Sequence, residues 1–114
     1  MLHLLGIKNC NKIRDTRKWL EGNKVDYAFI DVKKDPLSRD ELDELRTKVG
    51  LDTLINRKGM KWRQLGLAKQ ELSENELFDI LLEHQTMIKR PVLIKDDAVL
   101  VGFDEASFEA FVKE

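Results

Sequence analysis

Two segments at opposite ends of the chain set its architecture. At the amino end, "LHLLG" (Leu2 to Gly6) is a short apolar run. The stretch from about Cys10 to Glu21 then places Ile13, Trp19 and Leu20 among charges, and "VDYAFIDV" (Val25 to Val32) is β-branched and aromatic. Ile13 and Leu20, seven apart, share a helix face, and Gly22-Asn23 supplies a stop. Val25, Tyr27 and Phe29 alternate as a strand does. This is a β-α-β unit, whose strands run parallel because a helix carries the chain back across the sheet. At the carboxyl end, "RPVLI" and "AVLVGF" flank "KDD" and read as a hairpin. Asp104 there can cap a last helix with Phe108, Phe111 and Val112 on one face.

The residues between these ends are mostly helical. Ser38 with Glu41, and Ser73 with Glu76, have the spacing of capping boxes. The first opens a helix with Leu42, Leu45 and Val49 as its stripe, stopped by Gly50. The second opens one in which Leu77, Ile80, Leu81, His84 and Ile88 follow helical spacing. "LDTLINRKGMKWRQLGL" between them is irregular or in short turns, broken at Gly59 and Gly66. The expectation is a single α/β domain over 1–114 with a thioredoxin-like core: a four-stranded mixed sheet flanked by helices on both faces. A helical insertion, at about 36–88, separates strands 2 and 3.

Composition excludes several functions. The 20 basic and 21 acidic side chains leave a net charge of −1, without the basic excess of a nucleic-acid-binding domain. No apolar run has the length of a membrane span, and no signal-peptide pattern opens the chain. No Cys/His cluster has metal-ligand spacing. One cysteine cannot form an internal disulfide, which fits a reducing compartment, so a cytoplasmic protein is expected. Nothing demands more than a monomer.

That one cysteine is placed where chemistry is possible. Free cysteines commonly serve as small buried hydrophobes. Cys10, however, sits where the first strand ends and the first helix begins, among Lys8, Lys12 and Arg14. Unpaired N–H groups and the helix dipole favour an anion there, so the thiol is expected to ionise below its free value of about 8.5. Ile13 occupies the place of a CxxC partner, so any disulfide Cys10 forms is with another molecule. Arg90-Pro91 is the second candidate element: Pro91 can open a strand, and in a thioredoxin-like core the proline there is typically cis and faces the cysteine. "NRKGMKWRQLG" is the third, with Arg57, Lys58, Lys61 and Arg63 around Trp62; it reads equally as a solvated loop over a core tryptophan or as a small anion site. His84 reads as a packed histidine.

Taken in order, Gly6-Ile7-Lys8-Asn9-Cys10, Asn56-Arg57-Lys58-Gly59, Lys89-Arg90-Pro91-Val92 and Val101-Gly102-Phe103 resemble the arsenate reductase (ArsC)/Spx family, and within it the YffB-like branch. The resemblance implies that Cys10 is the nucleophile. It implies that Lys8, Asn11, Arg14, Arg57, Arg90 and Pro91 stabilise a thiolate or oxyanion or bind glutathione. It also implies a glutathione-dependent thiol–disulfide reductase that binds no cofactor and uses glutathione as co-substrate. Arsenate reduction with glutathione and glutaredoxin is the near alternative. An Spx-like regulator binding the C-terminal domain of the RNA polymerase α subunit is the other. Three departures remove part of an arsenate cage: Gly102 in place of a third arginine, Gly6 in place of a histidine, and Cys10-Asn11-Lys12-Ile13-Arg14 without small or hydroxyl residues.

Overall fold

A computed structural model describes residues 1–113. In chain order the elements are β1 (Leu2–Gly6), α1 (Asn11–Gly22), β2 (Tyr27–Asp31), α2 (Arg39–Val49), α3 (Leu51–Leu54), α4 (Met60–Gln64), α5 (Glu74–Glu83), β3 (Val92–Lys95), β4 (Ala98–Val101) and α6 (Glu105–Lys113). Short 3-10 turns cover Leu67–Lys69 and Gln85–Met87. The strands form one sheet in the order β2-β1-β3-β4. β1 pairs parallel with β2, as its crossover helix requires, whereas β1–β3 and β3–β4 are antiparallel. The expected mixed four-stranded sheet is observed.

Period-two alternation on β1 and β3 divides the core between the two faces of the sheet. Leu2, Leu4 and Leu93 pack with Ile13 and Leu20 of α1 and Phe108 of α6. Leu5 and Val92 face the other way, onto Leu42, Leu45, Leu54, Phe78 and Leu81 of the inserted helices. Fully burying one such side chain contributes roughly 1.5–3 kcal/mol, so neither helical layer is an ornament on the sheet. Both capping boxes form: Ser38 Oγ accepts from the Glu41 N–H at 3.2 Å, and Ser73 Oγ from the Glu76 N–H at 3.1 Å. Each glutamate accepts the return bond from its serine N–H, at 2.9 and 3.0 Å.

Three boundaries differ from expectation. β2 begins at Tyr27, because Lys24 has φ 57° and the Val25 N–H still bonds back to the Leu20 carbonyl. α5 stops at Glu83: His84 leaves helical geometry at φ −124°, ψ 70°, and the chain continues as a 3-10 turn. Ile88 is therefore buried through an antiparallel bridge with Ile55, and the fully covered residues of α5 are Phe78 and Leu81. β4 ends at Val101, where Gly102 turns the chain at φ 98°. Among the described residues no helix is long and apolar enough to cross a membrane.

Candidate active site

β1 delivers the chain to Cys10, which is the N-cap residue of α1 with extended backbone (φ −134°, ψ 127°). Its carbonyl accepts the first helical bond, from the Arg14 N–H at 2.9 Å, while its side chain caps nothing and is partly exposed. The thiol is thus free at the positive end of a twelve-residue helix, where unpaired N–H groups favour an anion. Gly6 makes this approach possible. A Cβ built there lies 2.1 Å from Ile13 Cδ1, so the end of β1 and the first turn of α1 touch where any side chain would intrude.

Two grooves meet at Cys10. One, of about 570 Å³, runs along α1 and is lined by Lys8, Arg14, Arg17, Lys18 and Glu21 with Asn9 and Asn11. The other, of about 530 Å³, brings Lys12, Asn56, Arg57, Lys58, Lys89 and Arg90 together. The sequence-derived residues therefore divide: Arg57 and Arg90 stand in one groove, Lys8 and Arg14 in the other, and Asn11 and Cys10 belong to both. Arg14 Nη2 donates to Asn11 Oδ1 at 3.1 Å. Lys34 beside Lys8 holds the Lys8 ammonium below the usual lysine range.

A small clamp joins the two arginine-bearing loops. Around the Ile55–Ile88 bridge, the Asn56 N–H donates to the Met87 carbonyl at 2.8 Å and the Lys89 N–H to the Leu54 carbonyl at 2.6 Å. Asn56 Oδ1 then accepts from the Lys58 N–H at 3.1 Å and shapes the turn between them. Arg57 is fixed further by an ion pair with Asp52 at 2.6 Å and by stacking over Trp62, 5.3 Å from the ring centroid. Arg90 makes no ion pair with a described carboxylate, and its peptide bond to Pro91 is cis. The Pro91 carbonyl accepts from the Gly102 N–H at 2.9 Å. Gly102, where the resemblance places a third arginine in arsenate reductases, adopts the left-handed φ of 98° that disfavours any side chain.

The basic loop resolves into parts. Trp62 is buried in the core, Lys61 lines none of the space beside Cys10, and Arg63 Nη2 donates to the Lys58 carbonyl at 3.3 Å. Of that loop's four cations only Arg57 and Lys58 line the groove, beside Asn56. Sequence reading passed over Asn56, Lys89, Arg17 and Lys18. Arg17 and Lys18 were detectable in principle, since they follow Arg14 at i+3 and i+4 on the same helix. Lys89 and Asn56 stand inside the motifs that carry the family resemblance but had no chemical signal of their own, because the tertiary clamp is what brings them in. Among the described residues no group of three or more His, Cys, Asp or Glu could hold a metal ion.

The sheet order, the cis proline opening β3 and a cysteine capping α1 define a thioredoxin-like fold, and a glutaredoxin structure from Archaeoglobus fulgidus superposes with a TM-score of 0.55 at 14% identity, covering 99% of this chain and 86% of its own. Within that class the chain belongs to the ArsC family, whose model matches residues 5–111. It is similar to the solved YFFB protein, with TM-score 0.91, 34% identity and coverage of 98% and 99% of the two chains. It also resembles an arsenate reductase (ArsC) related protein from Brucella melitensis, with TM-score 0.79, 35% identity and coverage of 99% and 95%. The global transcriptional regulator Spx 2 of Bacillus anthracis is 26% identical over 114 residues, covering 98% of this chain and 87% of that protein.

Proposed function

We propose that the protein is a cytoplasmic, glutathione-dependent thiol–disulfide reductase with Cys10 as its nucleophile. The observation that carries this reading is the partly exposed, uncapped thiol at the start of α1, standing where two cation-lined grooves meet. Cys10 thiolate attacks the glutathionyl sulfur of a mixed disulfide; that S–S bond breaks and the substrate thiolate leaves and takes a proton. A glutathione thiolate then attacks the Cys10–glutathione disulfide, releasing the Cys10 thiolate and glutathione disulfide. The cycle consumes one glutathione thiol per mixed disulfide: one glutathionyl group comes from the substrate and one from the incoming thiol, and both leave as glutathione disulfide, with no second protein cysteine needed. Arg57 and Arg90 suit the carboxylates of glutathione, because a guanidinium presents two parallel donors. Arg14 and Lys8 add positive charge in the other groove, and Asn11 orients Arg14.

The test is turnover of a glutathione mixed disulfide by purified protein with glutathione as reductant. Cys10→Ser should abolish it; a Cys10→Ser protein with full activity would remove the proposal. Arsenate reduction is a weaker reading of the same thiol, because Gly102 brings no third cation to the oxyanion. Similarity to Spx 2 over nearly the whole chain supports a second reading, as a protein that binds the C-terminal domain of the RNA polymerase α subunit. A pull-down separates the two, since binding of that kind survives Cys10→Ser.

A further inference from the structure

The two grooves at Cys10 are not equivalent, and glutathione needs only one. Nine of the chain's twenty basic residues line them, against one of its twenty-one acidic residues, so a nearly neutral protein concentrates its positive charge around the thiol. The acid is Glu21, at the far end of the α1 groove, and it already accepts from the Tyr27 hydroxyl at 3.1 Å. Tyr27 in turn accepts from Arg17 Nε at 3.0 Å, and the Arg17 guanidinium lies 4.7 Å from the Phe29 ring centroid. Arg17 is thus held rigid against β2, while Arg14 and Lys18, four apart, stand exposed along the helix. Lys34 stands beside Lys8, and Asp31 is near enough to act on the same ammonium.

The groove is also long. From Asn11 to Glu21 the helix rises about 15 Å at 1.5 Å per residue. An extended polypeptide advances about 3.3 Å per residue, so four or five residues span it. A small thiol leaving Cys10 would never reach Lys18. We propose that the α1 groove docks an acidic polypeptide segment of the protein whose glutathionylated cysteine is delivered to Cys10. Resting on the reductase reading above, this names its substrate class: glutathionylated proteins with aspartate or glutamate within a few residues of the modified cysteine. Charge complementarity selects the occupant. Arg14, Arg17 and Lys18 repeat at a spacing that meets successive carboxylates, and the lining carries no aromatic ring on which a nucleic-acid base would stack.

The experiment compares three substrates: a glutathionylated peptide with acidic flanks, the same peptide with lysine flanks, and the mixed disulfide of cysteine and glutathione. Wild type should have a kcat/KM at least about tenfold higher for the acidic peptide than for the basic one, falling as salt rises. Lys18→Glu should lower the acidic-peptide value about fivefold or more, and at least about threefold more than it lowers the small-disulfide value, because the residue lies a turn beyond Arg14 along the groove. Equal rates on the two peptides, or an equal loss on all three substrates in Lys18→Glu, would overturn the assignment. A cysteine-free acidic peptide, followed by fluorescence anisotropy, separates this inference from the chemistry. If wild type turns over no disulfide at all, the reductase reading fails by itself, whereas salt-sensitive peptide binding that weakens in Lys18→Glu still establishes the docking surface. Absence of that binding, or tighter binding of a single-stranded oligonucleotide, refutes it.

Discussion

Gly6→Ala isolates the contact that sets α1 against β1. The new Cβ would lie 2.1 Å from Ile13 Cδ1 and 2.6 Å from Cγ1, far inside ordinary contact distance. Ile13 is 1% exposed and packed among Leu2, Leu4, Leu20, Leu93 and Phe108, so its side chain has nowhere to go. Overpacking of this kind costs about 1–3 kcal/mol. Ile13→Ala alone leaves a cavity and costs about 2–5 kcal/mol. In the double variant only the Cβ of residue 13 remains, 3.7 Å from the new methyl, which is normal contact. The double variant should then be no less stable than Ile13→Ala alone, giving a favourable coupling of about 1–3 kcal/mol. Urea unfolding at 25 °C, with m-values checked for constancy, measures all four corners of the cycle. Additive losses, within about 0.5 kcal/mol, would show that the clash is relieved elsewhere and that the Gly6–Ile13 contact does not set the helix.

Gln85 is a buried side-chain amide that ties the insertion together: its Oε1 accepts from the Leu37 N–H at 2.7 Å, and its Nε2 donates to the Leu37 and Leu82 carbonyls at 2.8 and 3.2 Å. Gln85→Leu strands both backbone groups of Leu37 in the interior and should cost about 3 kcal/mol in the same urea assay; a loss below about 1 kcal/mol would mean that water replaces the amide. The N–H and hydroxyl of Ser73 hold the Glu76 carboxyl below the usual glutamate range, so its contribution to stability is present above the unfolded value and is lost as pH falls through the lower folded one. Stability should therefore fall less steeply below about pH 4.3 in Glu76→Gln than in wild type, and parallel pH profiles would contradict the capping-box assignment.

Local pattern exposed most of the fold. Apolar spacing in α1 and α2, the two serine–glutamate boxes and the turn at Asp96-Asp97 all specify their elements from neighbours in sequence. The same holds for Cys10, whose position between a strand end and a helix start is a one-dimensional fact. What pattern missed depends on contacts between distant residues. Leu77 and Ile88 fit a helical stripe as well as Phe78 does, and only packing against Arg46 and Arg39, whose guanidiniums lie 4.1 and 5.6 Å from the Phe78 ring centroid, and against the core selects the latter. The Ile55–Ile88 bridge joins residues 33 apart through a single pair, too small a unit to leave a periodic trace. Lys89 and Asn56 reach the thiol only because of it. The choice among the four cations of the basic loop was likewise invisible, because an ion pair with Asp52, outside the motif, and stacking on the buried Trp62 within it fix Arg57.

That bridge also ties the site to the core. Arg90 is carried by the sheet, whereas Arg57 is carried by the insertion, and the backbone bonds on either side of Ile55 and Ile88 hold one beside the other. Ile55 and Ile88 are themselves buried among Leu54, Trp62 and Met87, so parting the two arginines would expose apolar core as well as break two backbone bonds. The spacing of Arg57 and Arg90 is therefore set by core packing, not by the latitude of two surface loops.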